Sequence, residues 1–67
     1  MRAVVTVNGE AVKAAGMTVL HYLEREGYDP GRVVVEHNFK ILSRGDLDNT
    51  VLQENDQVEI LCFVGGG

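Results

Sequence analysis

The sequence predicts an α+β domain in which a mixed sheet of four to five strands packs on one helix. Three observations predict it. The apolar runs follow the order strand, strand, helix, strand, strand, strand. Only the run over 19–26 carries helical spacing. The last run, 58–64, is polar only at Glu59, so both faces of that strand are apolar, as in a strand at the centre of a sheet. One helix covers one face of a sheet and leaves the other open. The first and last strands are expected side by side in the middle.

Val4, Val5 and Val7, with Thr6 between, form a β-rich run that stops at Asn8-Gly9. Both turn positions accept the positive φ of a type I′ hairpin, and residues 10–13 read as the return strand. Gly16 breaks that strand, and Thr18 is placed to cap a helix. Val19, Leu20 and Leu23 fall on one side of this helix; Glu24, Arg25 and Glu26 fall on the other. Gly27 suits the left-handed position that ends it. A helix this short is held by packing rather than by propensity.

Asp29-Pro30-Gly31 is turn chemistry. Residues 33–37 form the next strand, Asn38-Phe39-Lys40 a turn, and Ile41-Leu42 a brief strand. Arg2, Val4, Val5 and Asn8 recur thirty positions on as Arg32, Val34, Val35 and Asn38. Two copies are too few for a repeat array, so this is similar hairpin chemistry used twice. Residues 43–50 are polar and irregular, with one helical turn expected near 46–49. A turn over 54–57 leads into the last strand.

The 67 residues, 45% of them apolar, allow a single domain with a small core. One cysteine, Cys62, excludes an internal disulfide framework and a cysteine-based zinc site, and suits a reducing cytoplasm. The apolar run over 3–7 is too short for a signal or membrane segment. Net charge is −4, but residues 45–67 hold five acids and no base. That disfavours phosphate recognition by this end, so no nucleic acid is expected. An acidic end is instead steered towards a basic surface on a partner protein. His21 and His37 lack metal-ligand spacing and read as surface or strand-end residues. Asp46-Leu47-Asp48-Asn49 opens like a calcium loop, yet Val51 stands where that loop requires glycine.

In the last strand Val58, Ile60, Cys62 and Val64 point one way, and Leu61 and Phe63 the other. Cys62 is expected as a small packed residue facing the core. Leu61 and Phe63 are expected in an exposed apolar patch on the open face, the kind that marks a binding surface. Gly65, Gly66 and Gly67 follow. They are expected as a flexible tail over 65–67 beyond a domain over 1–64. Without Cβ atoms, three glycines reach roughly 10 Å through a channel too narrow for other residues.

The strand "VVVEHN" and the ending "LQENDQVEILCFVGGG", with the Thr-capped helix between two hairpins, resemble the ThiS family. These are the sulfur carriers of thiamine biosynthesis, with the ubiquitin-like β-grasp fold. The similarity spans nearly the whole chain. It implies a non-catalytic carrier with no bound cofactor, whose Gly67 carboxyl is adenylated with ATP by a ubiquitin-activating-type (ThiF-like) enzyme. The adenylate is then converted to a thiocarboxylate with sulfur from a donor such as a cysteine desulfurase. The sulfur enters the thiazole ring on a thiazole synthase (ThiG-like). Leu61, Phe63, Val64, Gly65 and Gly66 become the partner-binding residues. Two loops depart from the family pattern. "ILSRGDL" has Ser43 and Leu47 where relatives often carry proline and tryptophan, and "HNFK" has Phe39 where a glycine is expected. The small subunit of molybdopterin synthase, a carrier for another sulfur metabolite and a ubiquitin-like RNA-associated module are the alternatives. The Pro-rich approach to the tail typical of the first is absent, and the last requires a basic face. No acid–base or nucleophile–base pair points to an enzyme.

Overall fold

The computed structural model describes residues 4–63. They form a five-stranded sheet on one α-helix, in the chain order β1 (Val5–Val7), β2 (Glu10–Val12), α1 (Val19–Arg25), β3 (Val33–His37), β4 (Lys40–Ile41) and β5 (Gln57–Cys62). The sheet order is β2-β1-β5-β3-β4. Every neighbouring pair is antiparallel except β1 and β5, which run parallel through Thr6 opposite Gln57 and Val7 opposite Val58. The first and last strands are therefore central, as their apolar content requires.

Turn chemistry closes both hairpins in the same way. Asn8 and Gly9 have φ of 50° and 84°, and Asn38 and Phe39 have 50° and 69°. Positive φ at both central positions gives the twist that matches paired strands. The helix starts where Thr18 accepts a hydrogen bond from the His21 N–H at 3.1 Å. It ends at Glu26, with Gly27 left-handed at φ 85°. Asp29 caps a single 3-10 turn over Pro30–Arg32 by accepting from the Gly31 N–H at 2.9 Å.

The core lies between α1 and the sheet face that carries Val5, Val7, Val35, Val58 and Ile60. Val19, Tyr22 and Leu23 of the helix close it from above, with Ala14, Leu47 and Leu52 at its margins. Tyr22 was not among the expected helix-face residues. It is buried against the core, Arg25 lies 5.3 Å over its ring, and burial pushes its phenol pKa up. Several boundaries also move: β2 ends at Val12 rather than at 13, and β5 is Gln57–Cys62, which leaves Phe63 outside the strand expected over 58–64. β4 takes Lys40 and Ile41 rather than Ile41 and Leu42, although the Leu42 N–H still bonds the Val35 carbonyl at 2.9 Å. A 3-10 turn forms over Arg44–Asp46, and the expected helical turn follows it, the Asp46 carbonyl accepting from the Asn49 and Thr50 N–H groups at 3.2 and 3.0 Å. Burial of Leu47 sets that register, and its carbonyl accepts from the Leu20 N–H at 2.8 Å.

Candidate functional site

The candidate site is the C-terminal half of β5 and the sheet face around it. Backbone pairing decides which way each β5 residue points. The Asn38 N–H donates to the Gln57 carbonyl at 2.7 Å and the Phe63 N–H to the Arg32 carbonyl at 2.9 Å. In an antiparallel ladder this places the backbone groups of Gln57, Glu59, Leu61 and Phe63 towards β3. Those of Val58, Ile60 and Cys62 point to the β1 side, where the Asn8 N–H donates to the Val58 carbonyl at 2.9 Å.

Side chains alternate across the sheet in the expected sense. Val58 and Ile60 are in the core, while Leu61 and Phe63 are 60% and 64% exposed on the face away from the helix. Val34 lies directly opposite Leu61, and Ile41 of β4 lies on the same face, opposite Glu36. Leu61, Val34, Phe63 and Ile41 thus share the sheet face that the helix does not cover. Glu59, opposite Glu36, puts an acidic border along it. Val64, Gly65, Gly66 and Gly67, and with them the expected boundary of the tail, lie outside the described residues.

Cys62 corrects its expectation. It shares the core side of β5 with Val58 and Ile60, but it is exposed. Its cross-strand neighbour Val33 on the same face still packs against the core, so the parity is right and the burial is not.

Asp56 is a second correction. Within the acidic end it reads as a surface charge, yet it is buried, and its carboxylate is used inside the fold. It accepts from the Gln53 N–H at 2.8 Å and from the Asn38 Nδ2 at 3.1 Å, and pairs with the His37 Nε2 at 2.7 Å. Burial pushes its pKa up, but the hydrogen bonds from His37, Asn38 and Gln53 outweigh that and hold it below the usual carboxylate range. The network ties the turn before β5 to the end of β3. Nothing in the spacing of His37 and Asp56 reveals it, since the pair forms only when the two strands align. The acidic charge left for a partner is carried by Asp46, Asp48, Glu54 and Glu59, all exposed.

Against this geometry the comparisons with known proteins are direct. The model of the ThiS family matches residues 3–67. The chain belongs to the ThiS family. A crystal structure of the thiamine biosynthesis protein ThiS from Geobacter metallireducens superposes with a TM-score of 0.78 at 34% identity. The match covers 96% of this chain and 99% of that one. The solution structure of a thiamine biosynthesis protein from the same organism gives 0.75 at 34% identity, over 96% and 87%. The β-grasp fold is thereby shown. Among curated proteins, a thiazole synthase of Magnetococcus marinus is 45% identical over 62 residues, and one of Paramagnetospirillum magneticum is 36% identical over 62. Each match takes in 91% of this chain but only 19% of the relative, so the chain spans about a fifth of those proteins.

The departures from the ThiS pattern now have structural readings. Leu47 is a buried core residue. Ser43 precedes the 3-10 turn and its hydroxyl donates to the Asp46 carboxylate at 2.8 Å. Phe39 adopts the left-handed conformation that a glycine would adopt without strain, and its ring is 87% exposed.

Proposed function

We propose that the protein is a non-catalytic sulfur carrier of thiamine biosynthesis whose reactive group is the Gly67 carboxyl. The observation that carries this reading is the ThiS family match, which runs through the terminal glycines to residue 67. The two relatives called thiazole synthase support the same pathway and a thiazole synthase as the acceptor.

The chemistry follows from the carboxyl itself. A free α-carboxylate has a pKa of roughly 3.3–3.7, so it is ionised at neutral pH and is a poor electrophile. Attack of its oxygen on the α-phosphorus of ATP forms an acyl-adenylate and releases pyrophosphate. A sulfide-level sulfur then forms the C–S bond as the C–O bond to AMP breaks, leaving a thiocarboxylate. Where the donor is a persulfide, a thiol supplies the two electrons that cleave the S–S bond. The ThiF-like adenylating enzyme performs the ATP step and a cysteine desulfurase supplies the sulfur. The glycines leave the acyl carbon unhindered. Leu61 and Phe63, with Val64, Gly65 and Gly66, form the surface that the partners grip.

The test is intact-mass and fragment spectrometry after incubation with the adenylating enzyme, ATP and a sulfur source. The expected product carries sulfur in place of one oxygen, located on Gly67. Deleting Gly66 and Gly67 abolishes the gain. A mass change on Cys62 instead would overturn the mechanism.

A further inference from the structure

β5 outlives its neighbour. β1 stops at Val7, and the Asn8-Gly9 turn carries the chain to β2 on the far side of β1. The last backbone bond between the two central strands runs from the Asn8 N–H to the Val58 carbonyl. One step further, the Asn8 side chain stands in for backbone. Its Oδ1 accepts from the Ile60 N–H at 2.7 Å and its Nδ2 donates to the Ile60 carbonyl at 3.4 Å.

The next pair of β5 groups facing that side is the N–H and C=O of Cys62. The Cys62–Val33 pair is a non-hydrogen-bonded position of the β3 ladder, because the flanking residue Phe63 bonds Arg32. The Cys62 groups therefore point into a lane that no described strand occupies. Cys62 itself is exposed.

We infer that this lane takes an extended peptide segment of the adenylating partner, which adds to β5 as a strand through the N–H and C=O of Cys62. An extended backbone offers a donor and an acceptor at ladder spacing, about 4.7–4.9 Å from β5, which is the chemistry the two groups require. The Asn8 amide already mimics one residue of such a strand. Continuity with Leu61 and Phe63, the neighbours of Cys62 in the chain and exposed like it, favours the same partner. Pairing there also extends β5 as a rigid rod and aims the following glycines. This inference rests on the carrier reading proposed above.

Residue-resolved hydrogen exchange tests it, with and without the adenylating enzyme and ATP. In the free protein the Leu61 and Phe63 amides, bonded to β3, are expected to exchange slowly and the Cys62 amide at least tenfold faster. In the complex the Cys62 amide should slow by at least tenfold. A complex in which Cys62 still exchanges at its free rate overturns the pairing and leaves the carrier reading intact; no complex at all overturns both. Substitution gives a second readout. Proline at 62 removes the N–H without touching the β3 ladder, as at an edge position. Cys62→Pro is expected to bind the enzyme at least tenfold more weakly than Cys62→Ala, which keeps the amide. Equal affinities for the two folded variants would sink the inference.

Discussion

The side-chain amide of Asn8 continues the central ladder of the sheet, bonding both backbone groups of Ile60, 52 residues away in sequence. Asn38 does the corresponding service on the other side of β5, where its Oδ1 accepts from the Gln57 N–H at 2.9 Å. Both asparagines occupy the first left-handed position of their hairpin turns, at φ 50°. One residue type thus satisfies two demands, a turn conformation and a strand partner. The paired recurrence of Asn8 and Asn38 in the sequence has its physical basis here.

Asn8→Ala should therefore destabilise the domain by more than loss of a surface residue. It leaves the Ile60 N–H without its partner, at about 1–3 kcal/mol, and places alanine at a φ it rarely adopts. Urea unfolding should show the midpoint fall with little change in slope. A loss under about 0.5 kcal/mol, the scale of ordinary surface changes, would show that water replaces the amide at no cost.

Acid stability should track Asp56. Its folded carboxyl releases its proton at lower pH than the unfolded chain does, so the unfolded state binds more protons as pH falls. The stabilisation is present above the unfolded carboxylate pKa, about 3.9, and is lost as pH falls through the lower folded value. Asp56→Asn should lower stability at neutral pH by about 2 kcal/mol, because an amide cannot accept from all three partners. It should also flatten the acid limb of a plot of unfolding free energy against pH. An unchanged acid limb in that variant would assign the pH dependence to other carboxylates.

Phe39→Gly should stabilise the protein. A bulky residue at φ 69° carries strain of roughly 1–3 kcal/mol, and the exposed ring gives little packing in return. Glycine offsets part of the gain through its freer unfolded chain, about 0.4–1 kcal/mol. A net gain of about 1 kcal/mol raises Tm by roughly 4–8 °C in a domain of this size. A fall in Tm would mean that the ring holds the hairpin through contacts stronger than the strain.

Phe63→Ala is expected to leave Tm within a degree or two of the original (~0.5 kcal/mol or less, as for surface changes), because the ring is largely solvent-exposed. Binding to the adenylating enzyme, measured by calorimetry, should weaken by more than tenfold, as truncation of a central aromatic anchor costs about 2 kcal/mol or more. Leu61→Ala should act in the same direction. Glu59→Gln should instead slow association and reduce its salt dependence. Undiminished affinity in the Phe63 variant would place the partner on another surface.

Much of this protein was legible in one dimension. Element order, the Asn8-Gly9 turn, the Thr18 cap and the Gly27 stop are local choices of backbone conformation, and each carries its own residue signal. The period-two pattern of β5 separates Val58 and Ile60 from Leu61 and Phe63, because alternation is a property of the strand itself. The strand being apolar on both faces announces a central position. Tertiary structure alone decided the rest. Cys62 has the parity of a core residue but is exposed, and coverage depends on where distant elements pack. Tyr22 joins the core with Arg25 lying over its ring, a contact that no pattern within the helix announces. Asp56 looks like one more acid in an acidic run; it becomes a buried, triply bonded carboxylate only when β3 aligns with β5 and delivers His37 and Asn38. Contacts of that kind depend on register between segments about twenty residues apart, and no pattern within either segment encodes the distance between them.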